Sequence, residues 1–281
     1  MTTITDLLSR LESCYDAIPR INGAAAEQVG EFALFLREGN GWPYYARPRL
    51  GATGFDPEDV AAVRARQREL GVPEAFEWVH ENSPDLFDVA QAAGLQVLRA
   101  PLMVLAPDHL PAPDELAAPD TTLAILDPDQ PDFADLLAVS GAVAHLGFAN
   151  GGTQAGPAGP AERDAAVTPL DRAQVADAAA GIRAGHKAEA VASIPDLGLA
   201  ARGAFQAAEG AAEIVGVATL PAARRRGLGA AVSAVLSQHA LASGWELVFL
   251  SAASEDVARV YARIGFERIG TACIAEPALD R

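Results

Sequence analysis

The sequence predicts an α/β fold in two unequal parts. Three observations lead there. Along the 281 residues, segments with apolar side chains at helical spacing alternate with short extended apolar blocks. Half of the residues are hydrophobic and 21% are charged, which gives ample material for a core and argues against a disordered chain. One stretch, PDHLPAPDELAAPD at 107–120, combines four prolines with few large apolar groups and reads as a linker. The chain therefore divides into 1–106, the linker 107–120 and 121–281.

The elements follow in order. Ile4, Leu7, Leu8, Leu11, Tyr15 and Ile18 mark an amphipathic helix over 4–18. EFALFLRE reads as a strand, and GNGWPYYARPRLG as a turn with an irregular extended piece. DPEDVAAVRARQRELG is a helix with acids in its first turn and Gly71 as its stop. AFEWV is a strand. SPDLFDVAQAAG is a helix that Ser83 would cap, with Pro84 at its first position. LQVLRAPLMVLAP is extended. After the linker, TTLAILD is a strand and PDFADLLAVSGAVAHLGF a helix. ANGGTQAGPAGPAERD is rich in Gly, Ala and Pro and reads as a mobile loop. A helix over PLDRAQVADAAAGIRAG, two strands in 188–210 and the strand AEIVGVATL lead to PAARRRGLGAAV and a long helix. ELVFLSA, SEDVARVYARIG and FERIGTACIAEP close the chain as strand, helix and strand.

Charge and composition exclude several classes. The net charge of -16 argues against nucleic-acid binding, which depends on phosphate neutralisation. That charge is uneven: residues 1–200 hold 29 acids and 13 bases, and 201–281 hold eight of each. The bases are 20 arginines and Lys187, a bias of bacterial, GC-rich coding. Cys14 and Cys273 fit neither a disulfide framework nor a metal-ligand spacing, and the N-terminus lacks a signal-peptide pattern. No long apolar run predicts a membrane span. The expectation is a cytoplasmic protein without a metal.

Arg224, Arg225 and Arg226 stand directly before Gly227, Leu228, Gly229 and Ala230, between a strand and a helix. A helix N-terminus exposes unpaired N–H groups and the positive end of the dipole. Glycine lets the backbone approach a ligand, and arginine adds charge and paired donors. Together they read as a phosphate cradle. The alternative is a solvated arginine cluster at a glycine-containing helix start. A Walker loop is excluded because Gly-Lys-Ser/Thr is absent.

EIVGVATLPAARRRGLG followed by SEDVARVYARIGFERIGT resembles the GNAT N-acetyltransferase superfamily. Arg224, Gly227 and Gly229 match its Arg/Gln-x-x-Gly-x-Gly/Ala signature, and Tyr261, Gly265 and Phe266 match its second one. The resemblance covers about residues 120–281. It implies a mixed, mainly antiparallel central sheet flanked by helices, with acetyl-CoA as co-substrate. It also implies that the cofactor arm bonds the backbone of Val217, Ala218 and Thr219, and that the pyrophosphate sits on residues 224–230. Ser254 stands where many relatives carry an asparagine that contacts the arm. Glu213 takes the place of a catalytic base; otherwise it is a solvated strand-end acid. Tyr261 is the donor expected to pass its proton downhill to the leaving thiolate; otherwise it is a packed helix aromatic. A backbone N–H of the central strand would polarise the thioester carbonyl. His145, His186 and His239 read as structural before catalytic.

Residues 1–106 echo the same plan as a truncated, diverged copy, as in tandem relatives. Asp56, Glu58 and Asp59 stand where its cradle would fall and would repel a pyrophosphate. One acetyl-CoA site is expected, and the front half is structural or helps form the acceptor pocket, with Trp42, Tyr44 and Tyr45 as lining or as core. The function expected is acetyl transfer to a primary amine of a small molecule or peptide. The alternatives are an inactive acyl-CoA-binding sensor or scaffold and an acyltransferase using another acyl-CoA. The oligomeric state is open, with a homodimer as one option.

Overall fold

The computed structural model describes residues 3–37 and 43–278. Trp42 lies outside them. The chain forms two compact units. The first comprises Met1–Met103, Ser251–Glu255 and Arg268–Arg281, and the second Val104–Leu250 and Asp256–Glu267. The last strand thus contributes mainly to the first unit, whereas the sequence reading counted all of 121–281 with the second.

The first unit opens with α1 (Ile4–Ile21), whose start is fixed by a capping box between Thr3 and Asp6. A hairpin follows, β1 (Ala25–Val29) with β2 (Phe32–Leu36), and β3 (Arg47–Pro48) joins its edge. The sequence reading missed β1, because AAEQV carries few of the apolar residues that mark a strand. Next come α2 (Pro57–Leu70), β4 (Phe76–Val79), α3 (Leu86–Ala92) and β5 (Leu95–Leu105). Asp56 caps α2, and Gly71 ends it in the left-handed conformation (φ 66). The predicted Ser83 cap is corrected: α3 starts two residues beyond Pro84, after Asp85, and no side chain caps it. The C-terminal β11 (Phe266–Pro277) pairs antiparallel with β4, from Ala272↔Val79 to Ala275↔Phe76. Phe32, Leu34, Val63, Phe76, Trp78, Leu86, Cys273 and Ala275 share one apolar core here.

The second unit is a five-strand array, ordered β10-β9-β8-β7-β6. These are β6 (Thr122–Ile125), β7 (Lys187–Ile194), β8 (Gly198–Ala208), β9 (Ala211–Thr219) and β10 (Leu247–Ser251, through Leu250 in this unit). All neighbours pair antiparallel except β9 and β10, which are parallel. The helices are α4 (Pro113–Leu116), α5 (Phe133–Ala149), α6 (Pro160–Ala166), α7 (Arg172–Arg183), α8 (Leu228–Ala242) and α9 (Glu255–Ala262). A Cβ at Gly147 of α5 would touch the Ala218 side chain, and one at Gly203 of β8 would touch Val232 and Leu236 of α8. Alternation along β8 and β9 then puts α5 and α8 on opposite faces. The mixed, mainly antiparallel sheet flanked by helices is the predicted fold class.

Two segments read as irregular contain short helical elements. The linker 107–120 holds a 3-10 turn (Pro107–His109) and α4. The loop 149–164 bonds to the turn before α8 through Gly156 N–H to Pro221 O (3.1 Å) and Ala222 N–H to Ala158 O (3.0 Å), and it ends in α6. Among the described residues, no helix is long and apolar enough to cross a membrane, and no three metal-binding side chains cluster.

Candidate acyl-CoA site

The central feature is a gap in the sheet. β10 runs beside β9 only from Leu247↔Ala211 to Phe249↔Glu213. From Ile214 to Thr219 the β10 side of β9 has no registered partner among the described residues. Val215, Gly216, Val217 and Thr219 are correspondingly half-buried rather than sealed. On the other side β9 carries a bulge. Ala204 pairs with Val215 but Arg202 with Ala218, so β9 spends three steps where β8 spends two. The extra residue re-phases the strand. Val217 and Thr219 face α8, where a Cβ on Gly229 would touch both, and Ala218 faces Gly147 of α5. Gly216 has φ 62, which the bulge requires and a side chain would resist.

β9 leads into the 3-10 turn Pro221–Ala223, then into residues 224–230 and α8. Arg225, Arg226, Gly227, Leu228, Gly229 and Ala230 donate no backbone N–H hydrogen bond to any described residue. A run of free donors at a helix start is the kind of element that can hold an anion.

The three arginines differ in what they do. Arg224 turns away from the loop: Nη2 donates to Gly147 O (2.9 Å) and to Asn150 O, and Nη1 to Gln154 O (3.1 Å). It closes the C-terminus of α5 and holds the following loop. Arg226 pairs with Asp196 (3.0 Å). Arg225 is exposed, has φ 66, and makes no side-chain hydrogen bond or ion pair with a described residue. A non-glycine residue in this region is held there against a steric cost. The three arginines are therefore not gathered at one point: Arg224 and Arg226 are held by partners in the chain, and Arg225 alone of the three has no side-chain partner among the described residues.

Gly227 needs a similar correction. It has φ 77, and a Cβ there would overlap the Leu116 carbonyl oxygen and come within 2.9 Å of its carbon. Ala118 N–H donates to Arg226 O (3.0 Å) beside it. The close backbone approach this glycine permits is made by the chain itself, by the segment read as a linker.

The two predicted catalytic side chains lie on opposite faces of the sheet. Glu213 is buried (5% exposed) and accepts from Gln206 Nε2 (2.9 Å), its register partner on β8. Phe205 beside it packs its ring 6.0 Å from that of His239 in α8, so Gln206 and Glu213 point to the other face. The solvated strand-end acid weighed for Glu213 is ruled out. Tyr261 lies on the α8 side, beside Ser233 and edge-on to Phe266 (5.9 Å). Burial raises its pKa to about 12. The expected downhill transfer fails on the order of acidities. A tyrosine at its ordinary value of about 10 is already a weaker acid than a thiol at about 8.5, and burial widens the gap, so complete transfer to the thiolate is uphill. Tyr261 can instead donate a hydrogen bond to a sulfur that gathers charge.

Ser254 is exposed and belongs to the first unit, in Ser251–Glu255. His145 and His239 are exposed; His186 is half-buried, with Nδ1 3.3 Å from Ala207 O. In the first unit Asp59 packs over Gly30 and bonds back to the Asp56 N–H, and Asp56 accepts from Glu58 and Asp59 N–H, so that helix start is filled by its own carboxylates. Tyr44 is engaged by Arg37.

Residues 195–275 match the model of the FR47-like protein family. Among solved structures the chain is similar to a GCN5-related N-acetyltransferase from Kribbella flavida, at 24% identity over 97% of this chain and 96% of that one, with a TM-score of 0.69. It is similar to a GCN5-related N-acetyltransferase-like protein from Streptococcus suis 89/1591, at 13% identity over 98% and 99%, TM-score 0.53. A tandem GNAT protein from the clavulanic acid biosynthesis pathway aligns at 16% identity over 89% and 79%, TM-score 0.50. A comparison with curated proteins found no match. At these identities the likeness is one of fold: the chain has the fold of these GCN5-related N-acetyltransferase structures.

Proposed function

We propose that the protein transfers an acetyl group from acetyl-CoA to a primary amine of a small molecule or peptide. One observation carries this reading: the unpartnered edge of β9 after Glu213 runs directly into the free N–H groups of 225–230. An extended chain bearing a diphosphate fits such a path. Val217, Ala218 and Thr219 bond the arm, and residues 225–230 with the Arg225 side chain bind the pyrophosphate. Tyr261 donates a hydrogen bond toward the sulfur. Glu213 accepts the amine proton through an intervening water, since its carboxylate is already held by Gln206.

Thermal unfolding with a panel of acyl-CoAs tests the reading. A ligand at 100 times its Kd adds about 2.7 kcal/mol of apparent stability. A clear rise in Tm with acetyl-CoA supports the site, and the ranking of the panel names the donor. A thiol-release screen against amines then separates an enzyme from an inactive acyl-CoA-binding module. No rise with any acyl-CoA would overturn the proposal.

A further inference from the structure

Across the bulge in β9 lies a buried polar cluster that the reaction does not use. Arg202 of β8 donates from Nε to Ser140 Oγ of α5 (3.0 Å) and from Nη1 to Gly216 O (3.0 Å), and its Nη2 pairs with Glu189 Oε2 of β7 (2.8 Å). Ser140 Oγ donates to the other Glu189 oxygen. Both charged side chains are nearly sealed, at 14% and 12% exposure. A Cβ on Gly216 would stand 2.5 Å from Arg202 Nη1, so the guanidinium fills the space that a side chain at the bulge would need.

Stability alone does not explain this arrangement. A buried ion pair must repay the desolvation of both charges, and well-packed apolar residues of similar volume often serve as well or better. A planar fork with three separate acceptors does something apolar residues cannot: it fixes the direction of a carbonyl. That carbonyl belongs to the residue whose insertion turns Val217–Thr219 over. We propose that Arg202, held by Glu189 and Ser140, is a positioning residue that sets the backbone of Val217–Thr219 for the pantetheine arm. The inference rests on the acyl-CoA reading above. It assigns no chemical step to Arg202.

The test compares two ligands on the full chain by calorimetry. Acetyl-CoA uses both the arm segment and the loop; adenosine 3′,5′-bisphosphate uses the loop alone. In R202M/E189Q, which removes both charges together, acetyl-CoA affinity should fall at least tenfold while bisphosphate affinity changes less than twofold. R202K keeps the charge without the fork and should fall between. It also carries the same comparison if the double variant does not fold. Equal loss of both ligands, as a purely structural role would give, overturns the inference, and so does no loss of either. If the wild-type protein binds neither ligand, the acyl-CoA reading itself has failed.

Discussion

Arg224, Arg225 and Arg226 are identical in the sequence and have three different fates. Composition and spacing mark this stretch as a candidate anion site, but they do not separate the surroundings of the three guanidiniums. That depends on acceptors some 70 residues away, at Gly147 and Gln154, and on Asp196. The difference is testable. Arg225→Ala should weaken acyl-CoA binding severalfold with Tm unchanged, whereas Arg224→Ala should lower Tm by several degrees, because it releases the end of α5 and the loop behind it. Calorimetry and thermal scans on the two variants check this. Tyr261→Phe should cut turnover tenfold or more and leave acyl-CoA affinity within twofold. Its acidity adds a stability prediction. The folded pKa, near 12, is above the ordinary value of 10, so the stabilisation is complete below pH 10 and is lost as pH rises toward 12. The phenylalanine variant should lack that alkaline loss in unfolding curves taken between pH 9 and 12.

Among the elements, α1 was legible from its apolar spacing, α2 from its acidic first turn and Gly71, and α5, α8 and the strands β7 to β9 also fall where the sequence put them. Three features were hidden, for distinct reasons. AAEQV forms β1 because FALFL offers it a partner, and pairing is not written in its own composition. The loop 149–164 is held by main-chain bonds to Pro221 and Ala222 and by the Arg224 side chain, partners some 60 to 70 residues away that its own Gly-, Ala- and Pro-rich composition does not announce. The bulge in β9 depends on one glycine in a strand, a signal shared by many ordinary strands. At the loop before α8, Asp196 competes for Arg226. Asp196→Asn should therefore strengthen acyl-CoA binding by a few fold at low salt, with the gain shrinking as salt is raised. Titrations at two ionic strengths decide it.

For the whole molecule, the excess of acid extends to the interior. Glu12 and Glu77 are both buried in the first unit, where Arg47 pairs with Glu77 and stacks on Tyr15. Burial pushes the Glu12 carboxyl above its usual range, against the Asn82 hydrogen bond (2.8 Å) and Arg47, which lower it. A raised carboxylate contributes its full stability below the unfolded pKa, and this is lost as pH rises through the folded value. Glu12→Gln should therefore raise Tm at pH 7, by an amount that fades as pH falls toward 4. The division of the chain was the least legible feature. Local patterns identify FERIGTACIAEP as a strand but not its partner, which is β4, some 190 residues earlier.

The glycine at 227 leaves a lesson about evidence of descent and of use. Its place in the motif suggests a residue kept for the sake of a bound phosphate. Its surroundings show a residue that the route of the polypeptide requires, because Leu116 passes where any side chain would be. A chain of this kind that had given up its ligand would still have to keep that glycine, and would go on matching the motif. A count of motif glycines is a register of backbone routes as much as of chemistry, whereas no such route accounts for the exposed Arg225 two positions earlier.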